Sequence, residues 1–75
     1  MTWNEVHTIY EAASGKWINK LDGRTVGSRH VGQGTAIAAG HLLAVRNAAD
    51  HWIHTEAGSV REMKPFGNVT ANPRR

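Results

Sequence analysis

One stretch limits the possible folds more than any other: Gln33 to Ala49, QGTAIAAGHLLAVRNAA, is the only segment long and regular enough for a helix of several turns. The rest is short runs of β-branched and aromatic residues separated by Gly-containing turns, a pattern of strands. One helix with several strands predicts a small α+β unit in which the helix covers one sheet face. We expect an antiparallel sheet of four or five strands in the order β-β-β-α-β-β.

Taken in order, Glu5 to Tyr10 reads as a first strand, Trp17 to Leu21 as a second and Arg24 to Val31 as a third. Asp22-Gly23 lies between the last two, and Asp-Gly between strand formers signals a two-residue hairpin turn. That turn sets Leu21 opposite Arg24, Lys20 opposite Thr25, Asn19 opposite Val26, Ile18 opposite Gly27 and Trp17 opposite Ser28. Trp17, Asn19, Leu21, Val26 and His30 then share one face, the heavier apolar one, which should meet the helix. Ile18, Lys20, Thr25, Gly27, Arg29 and Val31 share the other. His51 to Thr55 and Ser59 to Lys64 read as the remaining strands, with Pro65 ending the ladder.

The helix should begin within Gly32 to Thr35, with Thr35 the best hydroxyl cap and glycine an alternative. Ala36, Ile37, Gly40, Leu43, Ala44, Asn47 and Ala48 fall on one arc, which suits close approach to a sheet. At Gly40, in mid-helix, a bulky partner such as Trp17 or Trp52 is the expected neighbour. On the other arc Ala38, Leu42, Val45 and Ala49 form a second apolar stripe. It is the candidate protein interface, most simply between two copies of the chain.

The chain has 75 residues and reads as one domain over 1–68, followed by a loose basic tail over 69–75. A domain of this size buries only about 60% of its unfolded surface, so its core is thin and a partner would help it. Cysteine is absent, which removes disulfides and thiolate metal sites. No apolar run reaches the ~20 residues of a membrane span, and the first residues lack signal-peptide order, so a cytoplasmic protein is expected. Nine Lys/Arg against six Asp/Glu give a net charge of +3, a modest bias toward anionic partners.

No catalytic, cofactor or metal motif emerges. His51 and His54 are three apart on a strand and so point to opposite faces, and no nucleophile elbow surrounds Ser14, Ser28 or Ser59. Gly32-Gln33-Gly34 lacks the lysine of a nucleotide loop. His54 reads as structural, bonded to backbone, and His41 as an exposed or interface residue. Lys20, Arg24, Arg29, Arg61, Arg74 and Arg75 are the candidate nucleic-acid contacts, from an open sheet face and the tail.

The run WIHTEAGSVREMKPFGN from Trp52 to Asn68, with His7, Trp17 and the Ala-rich helix, resembles a family of small bacterial proteins catalogued as domain of unknown function 2188. His7, Trp17, Ala36 to Ala44, Ile53-His54, Gly58 and Gly67-Asn68 carry the likeness, which spans roughly Val6 to Pro73. Ala57 stands where the family usually has Asp, and proline is delayed to Pro73. The resemblance implies the strand–strand–strand–helix–strand–strand fold and no activity. The functional expectation is a non-enzymatic binding module: nucleic-acid binding first, protein interaction as the alternative.

Overall fold

The computed structural model describes residues 4–66. Within them the elements are β1 (Asn4–Glu11), β2 (Lys16–Leu21), β3 (Arg24–His30), α1 (Gln33–Arg46), β4 (Ala49–His54) and β5 (Val60–Lys64). The strands form a single sheet in the order β3-β2-β1-β4-β5 with α1 packed across it. The α+β class and the element order are those the sequence predicts. One ladder departs from the antiparallel expectation, because β1 and β4 run parallel at the centre of the sheet. The crossover through α1 causes this: it carries the chain from edge strand β3 past β2 and β1 before β4 is laid down. The predicted basic tail over 69–75, with Arg74 and Arg75, lies outside the described residues.

The β2–β3 hairpin turns through Asp22 and Gly23, both at positive φ (49° and 88°), as a two-residue turn requires. Its first three rungs are those read from the sequence: Leu21 with Arg24, Lys20 with Thr25, Asn19 with Val26. Beyond them the ladder slips, and Trp17 pairs with His30 instead of Ser28. Gly27, at φ 80°, sits in the irregular stretch.

Helix α1 starts after Gly32, whose backbone is extended and which offers no side-chain cap. The Thr35 hydroxyl donates to the Gly32 carbonyl at 3.0 Å instead of capping. At the other end α1 stops at Arg46, three residues short of the expected Ala49. Asn47 closes it by donating its backbone N–H (3.1 Å) and side-chain amide (2.8 Å) to the Leu43 carbonyl, and Ala48 reverses the chain at φ 50°. Asn4 on β1 donates to the Asn47 carbonyl at 3.0 Å, which ties this turn to the sheet.

Ala36, Gly40 and Ala44 are the buried residues of α1, so its small-residue arc faces the sheet as expected. Under its C-terminal half Val6, Ala44 and Ala49 form an apolar cluster with Leu21, Leu43 and Phe66 packed around them, and Trp17, Ile18, Ala36 and Ile53 are the other buried apolar residues. Ala49 is therefore not part of an exposed stripe. It opens β4 and is fully buried, because the turn at Asn47-Ala48 takes it off the helix wheel.

Beneath Gly40 the contact is polar, not aromatic. A Cβ built there would lie 2.5 Å from Asn19 Oδ1 and 2.7 Å from both His51 Nε2 and Thr8 Oγ1. These three side chains, one each from β2, β4 and β1, form a buried chain. The Thr8 hydroxyl donates to Asn19 Oδ1 at 2.5 Å, and Asn19 Nδ2 donates to the Ala36 carbonyl of the helix at 3.0 Å. With its proton committed, Thr8 Oγ1 accepts from His51 Nε2 at 2.7 Å. The other nitrogen, His51 Nδ1, is buried with no partner among the described residues. Burial pushes the His51 imidazole down to about 4, with Lys64 and His41 adding to the effect, so it is neutral at pH 7.

Candidate functional site

Two surfaces are left over once α1 has covered its side of the sheet. The first is the outer face of α1. Ala38 is exposed, Leu42 is 58% exposed and Val45 is 51% exposed. Between this face and β3 runs a cleft of about 240 Å³ lined by Val26, His30, Ala39, Leu42, Leu43 and Arg46, among others, and no acidic residue contributes to it. Three of the four predicted interface residues therefore stand together on the surface, and Ala49 does not.

The second surface is the uncovered sheet face. The register places Glu5, His7, Ile9 and Glu11 of β1 on it, with Lys16, Ile18 and Lys20 of β2 and Asp50, Trp52 and His54 of β4. Ile18 is only 2% exposed there, beside Ile9 in the ladder. Arg29 reaches from β3 across β2 to Glu11, with Nε donating to Oε1 at 2.6 Å. That contact lowers the Glu11 carboxyl below its ordinary value and raises the Arg29 guanidinium. Of the predicted nucleic-acid contacts, Lys20 is half-buried on this face and Arg24 is exposed at the hairpin. Arg61 on β5 donates to Gln33 Oε1 at 3.1 Å, near the start of α1. The cations are not gathered into one basic patch, since Glu5, Glu11 and Asp50 alternate with Lys16, Lys20 and Arg29.

Nothing in the strand patterns links His7, His54, Glu5 and Trp52, yet they meet on this open face. His7 Nδ1 lies 2.8 Å from His54 Nε2, and His7 Nε2 lies 3.0 Å from Glu5 Oε1. Trp52 stacks on His7 with the ring planes 7° apart and the centroids 5.9 Å apart. The link is the parallel β1–β4 ladder, which sets His7 opposite Trp52. His54 is thus bonded by ring to another ring; its backbone carbonyl accepts from Gln33 Nε2 at 3.0 Å. His41 is exposed and meets Phe66 edge-on at 4.8 Å. His51, on the opposite side of β4, is sealed under the helix, as the three-residue spacing from His54 predicts.

Among the described residues no group of three or more His, Asp or Glu is arranged around a common metal position, and no helix is long and apolar enough to cross a membrane. Fold and surfaces together define a one-helix α+β domain with a covered and an uncovered sheet face. No family model, curated protein or solved structure matches the chain.

Proposed function

We propose that this chain is a small non-enzymatic binding module that works through the outer face of α1, and that its simplest partner is a second copy of itself. The observation that carries this reading is the exposure of Leu42 and Val45 on one helix face, continuous with the acid-free cleft beside β3. Between Gln33 and Ala49 the only charged residue is Arg46, so two such helices approach without strong like-charge repulsion. Ala38 at one end of the stripe leaves room for Val45 of an antiparallel copy, which is the self-complementarity a twofold contact needs. Burying this face also adds apolar area to a domain whose buried apolar set is small, with only Trp17, Ile18 and Ile53 larger than valine. The cysteine-free composition suits a reducing compartment, and we take the cytoplasm as its setting.

Nucleic-acid binding through the open face is the second reading. In its favour are Lys20 on that face and the net charge of +3; against it are the register, which puts Arg24 on the Leu21 side of the sheet, and the engagement of Arg29 by Glu11. Sedimentation equilibrium over a wide concentration range separates the two. Self-association predicts a mass that rises with concentration and that Leu42→Asp returns to monomer. A strict monomer at every concentration, unaltered by that change, overturns it. Duplex affinity that falls steeply with salt and is lost in Lys20→Glu with Arg29→Glu would favour nucleic acid instead.

A further inference from the structure

We infer that His7 and His54 form a two-nitrogen seat for a divalent transition-metal ion on the open sheet face, preferring Cu²⁺ and then Ni²⁺, with water completing the coordination. The inference begins with tautomers. A carboxylate only accepts, so the His7 nitrogen 3.0 Å from Glu5 Oε1 is Nε2–H, and in the neutral ring Nδ1 is left with a lone pair that faces His54. The metal-free pair is then held by one proton, donated by His54 Nε2. His54 Nδ1 makes no hydrogen bond among the described residues, so that proton can move to it. His54 Nε2 then presents a second lone pair to the same point. Two lone pairs 2.8 Å apart repel, and a metal ion set to one side of the line between the nitrogens, at about 2.05 Å from each, relieves that repulsion in place of the proton.

The surroundings are those of a prepared ligand. Glu5 fixes the distal nitrogen of His7, the arrangement by which outer carboxylates orient ligating imidazoles and raise their basicity. Trp52 holds the plane of the His7 ring. Both histidines stand on neighbouring strands in the interior of the sheet, β1 and β4. The His7 side chain is 31% exposed, which leaves the outer side of the seat to solvent. Of the neighbouring charges, Glu5 favours a cation, and Lys20, across the ladder from His7, opposes it.

The separation of the nitrogens sets the preference. Metal–nitrogen bonds of about 2.05 Å place two ligands about 2.9 Å apart at a right angle and about 3.3 Å apart at a tetrahedral one. The observed 2.8 Å fits the right angle of square or octahedral ions once each ring, now facing the other nearly head on, turns its lone pair toward the ion by about 45°, and it fits tetrahedral zinc less well.

Titration of the full chain with Cu²⁺, Ni²⁺ and Zn²⁺, followed by calorimetry and by quenching of tryptophan fluorescence, tests the inference. One Cu²⁺ per chain should bind, tighter than Ni²⁺ and Zn²⁺. His7→Ala and His54→Ala should each abolish this binding, Glu5→Gln should weaken it about 10-fold or more, and His30→Ala and His41→Ala should leave it unchanged. Pulsed electron paramagnetic resonance on the unaltered chain should show two imidazole nitrogens on the copper, a readout that does not depend on the folding of any variant. Binding that survives His54→Ala, a preference for Zn²⁺, or a spectrum with fewer than two imidazoles overturns it.

Discussion

Replacing Gly40 with alanine sets a local preference against a packing constraint, and the structure says which prevails. In a solvent-facing helix the change stabilises by about 1 kcal/mol, because glycine is the poorer helix former. Here the added methyl would meet Asn19 Oδ1 at 2.5 Å and both His51 Nε2 and Thr8 Oγ1 at 2.7 Å. None of these is the loose end of a flexible side chain, since each is held in the buried hydrogen-bond chain that Asn19 ties to the Ala36 carbonyl. Either the helix lifts, at an overpacking cost of roughly 1–3 kcal/mol, or the chain breaks and strands a buried polar group, at roughly 1–3 kcal/mol. Allowing for the helix-propensity gain of about 1 kcal/mol, either route leaves a net loss of up to about 2 kcal/mol. A domain of this length has only about 4–11 kcal/mol to lose. Urea melts followed by circular dichroism give the number. Gly34→Ala is the control, as no atom lies within 4 Å of the place its new methyl would occupy, and it should be neutral to stabilising. A Gly40→Ala protein more stable than the parent, as helix propensity alone demands, would refute the reasoning. So would a loss that Thr8→Ala in the same chain fails to reduce.

Three further outcomes follow from the same packing. The His51 imidazole is held down to about 4 against about 6.5 in an unfolded chain, so stability is complete above pH 6.5 and falls as the pH drops toward 4, by roughly 3 kcal/mol; denaturant melts across that range should show the slope, and His51→Asn should lack it. Ala49→Asp places a carboxylate in the Val6–Ala44 core and should cost more than about 3 kcal/mol, whereas Leu42→Asp should leave the monomer folded by circular dichroism and alter only its association. Glu11→Gln removes an exposed ion pair and should change the denaturant midpoint little, and less still in high salt.

How much of this was legible in the sequence depended on how local the determinant was. The Asp22-Gly23 hairpin was readable to its third rung because the turn chemistry resides in two adjacent residues. The slip past Gly27 was not, since glycine permits a bulge without demanding one. The small-residue arc of α1 was readable from periodicity, but its end was not: Asn47-Ala48 carries no glycine or proline to announce a reversal, and the wheel ran on to Ala49. The partners of Gly40 escaped because Thr8, Asn19 and His51 lie on three strands far apart in sequence, where polar residues usually mark solvent. His7 and His54 were separately visible; only the parallel pairing of β1 with β4 joins them, and strand patterns do not reveal which strands adjoin.

That central position of β1 has a bearing on how the molecule is made. Its ladder with β2 can close as soon as the hairpin partner follows, but its other flank waits for β4, which begins only at Ala49. A chain interrupted anywhere before Ala49 therefore carries a bare row of amide and carbonyl groups along its earliest strand, next to the exposed undersides of Val6 and Thr8. Such an unfinished flank is a template for pairing with another chain. Synthesis of this protein should thus be least forgiving of a pause in the helix, just before the strand that seals it.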